Sequence, residues 1–220
     1  MGIVITRRDW LFIASANAIA IAIALVSAKY QLGWAGATAS VAIELTLLGV
    51  FCARHPEPLF ARLLVFGIVV GFTELLNDTW LIDQGILVYA PGGPEVLKTP
   101  LYMPFCWALI FVTNGTVGIW LLQKLGGWKA AIALAVMSGL YIPLFEAVAA
   151  KALWWHYEKV PMLFGLAPTF VVLSEALLAL PLPWMSARLV RDGLRWAVFL
   201  GVVEGLFLWA VSALALALVG

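Results

Sequence analysis

Six carboxylic acids sit inside long apolar runs of this chain: Glu44, Glu74, Asp78, Glu146, Glu175 and Glu204. Two amides accompany them, Asn77 between Glu74 and Asp78, and Asn114 further on. An ionised side chain at the centre of a bilayer costs roughly 2.5–3.5 kcal/mol on insertion scales, so such groups persist where they act or pair. No lysine or arginine falls at a comparable depth in these runs. Acids that share one apolar cavity without cations cannot all be ionised, because desolvation and mutual repulsion oppose it. A carboxylic acid kept protonated in a dry, aromatic pocket is a proton donor for a weak base. Each acid taken singly has a plainer role, a hydrogen bond to a carbonyl or hydroxyl of a neighbouring helix. Asp78, near a helix end, is open to solvation at the interface, and the two asparagines suit interhelical hydrogen bonds. Six acids together favour a common cavity. The aromatic residues near them, Phe72, Trp80, Tyr102, Trp107, Tyr141 and Phe145, are the candidates for its walls.

The elements that carry these residues follow from composition. Of 220 residues, 64% are apolar and 11% charged, the signature of an all-α polytopic membrane bundle. Seven apolar segments have spanning length: 9–28, 32–53, 60–82, 100–123, 128–150, 161–182 and 194–219. Connections are expected to be short except for 83–99, which is rich in Gly and Pro. The chain reads as one domain, 1–220. Thr6-Arg7-Arg8-Asp9 loosely resembles a twin-arginine signal, but further spans follow, so 9–28 reads as a retained first helix. With the N-terminus in the cytoplasm, nine Lys/Arg side chains fall inside and four outside, and every arginine is inside. This orientation in a cell inner membrane puts the C-terminus, the 83–99 loop and Trp154-Trp155-His156-Tyr157 on the outer side, the aromatic cluster at the interface.

A repeat is visible. Gly71-Phe72-Thr73-Glu74, Trp80, Tyr89 and Pro100-Leu101-Tyr102 parallel Tyr141-Ile142-Pro143-Leu144-Phe145-Glu146, Trp154-Trp155, Tyr157 and Pro161-Met162-Leu163. Each reads as a helix with an acid, an aromatic exit, a loop and a proline-led return helix, with Glu146 standing for Glu74. Gly201-Val202-Val203-Glu204 begins a similar helix.

Several chemistries are excluded. Retinal proteins need a lysine in the last helix, and 194–219 has none. Phosphate chemistry needs basic residues at the site. Ser or Cys nucleophiles need a partner base, and the apolar segments contain no histidine. The two cysteines, Cys52 and Cys106, suggest neither a disulfide framework nor a thiolate metal site, and no His-rich cluster exists. Neither a cofactor nor a metal is expected, and the net charge of +1 gives no reason for a nucleic-acid partner.

An acid inside a helix, an aromatic exit and a Gly/Pro loop leading to a Pro-led helix resembles the carotenoid hydratases. It also resembles the integral-membrane lycopene cyclases and terpene cyclases. In the terpene cyclases the resemblance implies a catalytic pair in the second and last helices, matched here by Ile43-Glu44-Leu45 and Val203-Glu204-Gly205. Ser174-Glu175-Ala176-Leu177-Leu178 loosely resembles the paired-carboxylate motif of the lycopene cyclases, with the second acid missing. The resemblance implies protonation of an alkene in an apolar, isoprenoid-type substrate drawn from the bilayer. Aromatic faces and a carboxylate would then stabilise the cation. Glu74 or Glu146 is expected as the general acid, with the other, Asp78, Glu44 or Glu204 as counter-ion or base. The alternatives are proton-coupled transport of a small molecule, since chains of acids also relay protons, and a non-catalytic assembly role.

Overall fold

A computed structural model describes residues 5–55 and 58–220. It is an all-α bundle: α1 (Arg7–Tyr30), α2 (Gly33–Arg54), α3 (Pro58–Asp83), α4 (Met103–Leu125), α5 (Gly127–Lys151), α6 (Thr169–Ala179), α7 (Leu182–Asp192) and α8 (Leu194–Val219). Among the described residues six helices are long and apolar enough to cross a membrane; α6 and α7, bent by 42° at their junction, pass the same test only as a pair, the pattern of a broken span or a re-entrant loop. Six of the seven expected segments correspond to single helices.

The sixth does not. Residues 161–182 were expected to be one helix, but 162–168 form a hairpin, β5 (Met162–Leu163) paired with β6 (Ala167–Pro168). Phe164 and Gly165 turn it with positive φ, and Pro168 holds the extended backbone from which α6 starts. The span then breaks at Leu180–Pro181, since Pro181 and Pro183 lack the N–H groups that would continue the ladder. The connection after α5 is therefore nearly as long as the one after α3.

The two connections are copies of one another. After α3 come β1 (Leu87–Tyr89), β2 (Glu95–Val96) and β3 (Thr99–Pro100); after α5 come β4 (Trp155–Tyr157), β5 and β6. A constant offset of 68 relates Asp83 to Lys151, Leu87 to Trp155, Tyr89 to Tyr157 and Pro100 to Pro168. Both helices end in the same cap. Gly85 and Ile86 donate to the carbonyls of Ile82 and Leu81, as Leu153 and Trp154 donate to those of Ala150 and Ala149. Gly85 and Leu153 both have positive φ, the left-handed exit of a Schellman motif.

The copies are related by a pseudo-two-fold axis. β1 and β4 pair antiparallel, with Leu87 opposite Tyr157, Val88 opposite His156 and Tyr89 opposite Trp155. That register is symmetric about Val88 and His156. The same reciprocity recurs lower down, where Gly115 abuts Ser186 and Gly118 abuts Pro183; at the same offset, Gly115 matches Pro183 and Gly118 matches Ser186. Since α3 and α5 run in the same direction, the axis lies along the bundle. This is the parallel type of membrane repeat.

Small residues allow the helices to close on α3. Gly67 and Gly71 lie against Ala108 and Pro104 of α4, and Gly201 and Gly205 of α8 lie against Val69 and Thr73. Both are small-xxx-small pairs, which bring backbones together in a membrane. α1 and α2 pack on each other at the periphery. Asp9 is absorbed into the Thr6 capping box of α1. All seven arginines fall at the end opposite the strands, where Arg62 donates to the carbonyls of Leu189 and Val190 at the C-terminus of α7.

An acid cluster beside a pseudo-two-fold axis

The symmetric offset changes which residues correspond. Asp78, not Glu74, is the counterpart of Glu146; each lies five residues before the end of its helix, about 8 Å along it. Matching glutamate to glutamate put the sequence alignment one turn out of register. The strand pairing sets it.

Directly under the β1–β4 ribbon, Asp78 and Glu146 form the first layer of the site. Both are buried, 4% and 7% exposed, and they lie within electrostatic reach of each other. Tyr89 donates its hydroxyl to Asp78 at 2.5 Å, and the Trp155 indole N–H donates to Glu146 at 2.7 Å. Tyr157, the counterpart of Tyr89, stands close to Glu146. Desolvation and then the Asp78 carboxylate push the Tyr89 hydroxyl well above its ordinary range, so it stays a donor. The Thr99 hydroxyl lies beside Asp78 but completes no hydrogen bond.

A second layer lies one turn deeper. Glu74, four residues before Asp78 and on the same helix face, interacts with Asp78 and Asn77. Glu175 of α6 is in reach of Glu74, Glu146 and Glu204. Glu74 and Glu204 are each 1% exposed, and each keeps one carboxyl oxygen without a partner, as does the Asn77 carbonyl oxygen. Five acids from α3, α5, α6 and α8 thus gather in the strand-side part of the bundle. Among the described residues no lysine or arginine joins them.

Glu175 also borders a cavity. This space, about 10 Å³, lies between α4, α5 and α6 and is lined by Trp107, Phe111, Asn114, Ser138, Glu175 and Leu182, among others. Asn114 donates to the Tyr141 hydroxyl at 3.0 Å, and Tyr141 is 37% exposed on the outside of the bundle. A larger apolar groove, about 320 Å³ between α1 and α2, is remote from the acids.

Other expected site residues lie elsewhere. Glu44 is bonded to Ser40 of its own helix at 3.0 Å, on α2, away from α8 and Glu204; its pairing with Glu204 is not formed. Phe72 is 42% exposed and packs edge-on to Phe105. Trp80 sits half-buried in α3, and Tyr102 is buried and bonded to the Trp154 carbonyl. Phe145 packs on Trp154 and Trp155. Trp154 and Trp155, expected at the interface, are 3% and 5% exposed, because their N–H groups reach inward to Ser27 and Glu146. Tyr89, Trp155, Tyr157 and Ser138 belong to the site although sequence reading gave them no part in it. The signal for the tyrosines was present, the same residue at the same place in both copies.

Trp155→Phe keeps an aromatic ring, though a smaller one, and removes the donor to Glu146. It is expected to cost about 1–3 kcal/mol, the penalty for a buried acceptor left unpaired, measured by unfolding in mixed micelles.

Residues 75–219 match a family model described as Domain of unknown function (DUF6989). The match takes in Asp78, Glu146, Glu175 and Glu204, and it begins one residue after Glu74. No curated protein and no solved structure matches the chain.

Proposed function

We propose that this chain, which belongs to the DUF6989 family, is a membrane-embedded acid–base enzyme that protonates an alkene of an apolar, isoprenoid-type substrate. The observation that carries this reading is the grouping of five uncompensated acids, one of which, Glu175, faces a cavity walled by aromatic rings. Glu175 is the general acid. Glu74 and Glu146, the expected donors from sequence, sit behind it, and with Asp78 and Glu204 they return its proton and balance the charge of the cation. Trp107 and Phe111 offer π faces to that cation. The substrate enters sideways from the bilayer between α4 and α5, past the Asn114–Tyr141 contact. The arginine-bearing end faces the cytoplasm, by the positive-inside rule.

Proton-coupled transport is the second reading, favoured by the parallel repeat and the broken α6–α7 span, features shared with transporters. Against it, the acids are gathered in two adjacent layers at the strand end of the bundle rather than strung from face to face.

One experiment separates the two. Protein in nanodiscs is incubated in D2O with acyclic isoprenoids (geranylgeraniol, squalene and lycopene), and the extract is analysed by mass spectrometry. The enzyme reading expects a product carrying one solvent deuterium on carbon. Unaltered isoprenoids together with acid-dependent proton uptake in liposomes would support transport and contradict the enzyme.

A further inference from the structure

Buried acids that give up protons must regain them from water, and the two ends of this bundle differ in what they offer. On the strand side, Asp78 and Glu146 lie directly under the β1–β4 ribbon, whose central residue His156 is exposed. Tyr89, half-buried on β1, donates its hydroxyl proton to Asp78. The Thr99 hydroxyl stands beside the same carboxylate and, on a fully buried residue, has no hydrogen-bond partner. Asp78 and Glu74, one turn apart on α3, are in hydrogen-bond reach of each other. Glu74 is in electrostatic reach of Glu175. A run of oxygen-bearing groups thus leads from the ribbon to Glu175.

The two copies differ at this point. In the ribbon Tyr89 stands opposite Trp155, and Trp155 holds Glu146 as Tyr89 holds Asp78. A phenol hydroxyl donates one proton and accepts another, whereas an indole N–H only donates. A proton can pass through Tyr89; through Trp155 it cannot. Toward the arginine end the fold is packed shut. Gly115 and Gly118 of α4 lie against Leu63, Leu134 and Pro183, and Leu63, Leu134 and Leu182 are fully buried. The buried hydroxyls at this level form no chain. Thr116 donates to the Val112 carbonyl of its own helix. Ser186 has no partner and stands eleven residues beyond Glu175, about 16 Å at the helical rise.

We infer that the acid cluster exchanges protons with the aqueous phase on the strand side, through Asp78 as the port and the Tyr89 and Thr99 hydroxyls as its relay, and not with the arginine side. The inference rests on the acid–base reading of the cluster for its purpose, while the exchange itself needs no substrate. When Glu175 has given up its proton, Glu74 passes one to it and Asp78 passes one to Glu74. Asp78 regains one from the Tyr89 hydroxyl as the phenol oxygen takes one from water. One proton enters for each one given up. The titratable groups around Asp78 are Glu74 on α3, Tyr89 on β1, Tyr102 before α4, Glu146 on α5 and Tyr157 on β4.

Wild type, Tyr89→Phe, Thr99→Val, Ser186→Ala and Glu175→Gln in nanodiscs are moved from H2O to D2O, and the C=O stretching band of protonated carboxyls is followed by infrared spectroscopy. The part of the band that Glu175→Gln lacks belongs to the cluster. Its shift to the deuterated position is expected to slow by about tenfold in Tyr89→Phe, the factor that one lost hydrogen bond is worth, and to keep the wild-type rate in Ser186→Ala. Thr99→Val removes a hydroxyl that makes no hydrogen bond, so it should fold; it too is expected to slow the shift, and it decides the matter if Tyr89→Phe fails to fold. A merely structural role for Tyr89 gives the opposite sign, because a loosened ribbon admits water and speeds the exchange. Unchanged or faster exchange in the deciding variant overturns the inference, and so does slower exchange in Ser186→Ala or a wild type with no protonated-carboxyl band. Slower exchange in Tyr89→Phe with every isoprenoid left unaltered upholds the inference and removes the alkene-protonating function. Labelled products with exchange indifferent to Tyr89→Phe overturn the inference and leave that function standing.

Discussion

Glu175→Gln is expected to abolish product formation, lowering turnover by about 10²–10⁴-fold, the range that general acid catalysis supplies. The amide has nearly the same shape but no acidic proton. Glu175 carries no hydrogen bond on which the bundle visibly depends, and it faces a cavity rather than a packed neighbour, so the variant should insert and fold. Glu44→Gln is the internal control. Its carboxyl is bonded within α2, outside the cluster, and turnover should stay within a few-fold of wild type. Deuterium incorporation from D2O, normalised to folded protein, measures both. Equal loss in the two variants would remove Glu175 from its assigned role.

Gly71→Ala should be strongly destabilising while Gly139→Ala is not, although the two glycines hold equivalent places in the repeat. A Cβ on Gly71 would lie 2.3 Å from the Pro104 carbonyl oxygen and 2.6 Å from its Cα. Both are backbone atoms that cannot swing away, so α3 and α4 must separate, at about 1–3 kcal/mol or more. A Cβ on Gly139 would meet only the Ala176 Cβ at 3.6 Å, an ordinary contact. There the helix propensity of alanine over glycine favours the variant by up to about 1 kcal/mol. Unfolding in mixed micelles reads both changes, and opposite signs are the expected result. Behind the difference is an asymmetry between the copies. The α3–α4 pair is closed down on glycine, whereas α5 and α6 stand further apart at the matching position.

Long apolar runs made the helices legible in the sequence. What failed failed for local reasons. Residues 161–168 are nearly all apolar, and their hairpin depends on the left-handed Phe164–Gly165 turn and on Pro168, which hydropathy does not register. The repeat was visible as a pattern of helix, aromatic exit and proline. Its register came out wrong because Glu74 resembles Glu146 more than Asp78 does. Only the symmetric pairing of Leu87–Tyr89 with Trp155–Tyr157 fixes the offset. The inward turn of Trp154 and Trp155 was hidden for a related reason, since an exit tryptophan looks the same whether its N–H meets lipid headgroups or Glu146. The acids themselves were legible one by one. That Glu175 and Trp107 line one cavity was not, because it depends on how two distant segments pack.

The duplication also explains how a site of unlike groups arises on a symmetric frame. The layer under the ribbon keeps the symmetry, with Asp78 and Tyr89 matched by Glu146 and Tyr157. The deeper layer breaks it: Glu74 corresponds to Ile142 and Glu175 to Trp107 at the same offset. Chemistry is assigned to the part where the copies have diverged, and support to the part where they have not.

The central claim, that these acids act on an apolar polyene drawn from the membrane, is tested most directly by the lipids that co-purify with Glu175→Gln. With its proton donor removed, the protein can bind substrate without converting it. Mass spectrometry of organic extracts from the variant and from wild type, expressed in the same isoprenoid-producing cells, is predicted to show an acyclic polyene enriched in the variant. Identical extracts from the two proteins, with no isoprenoid in either, would contradict the account.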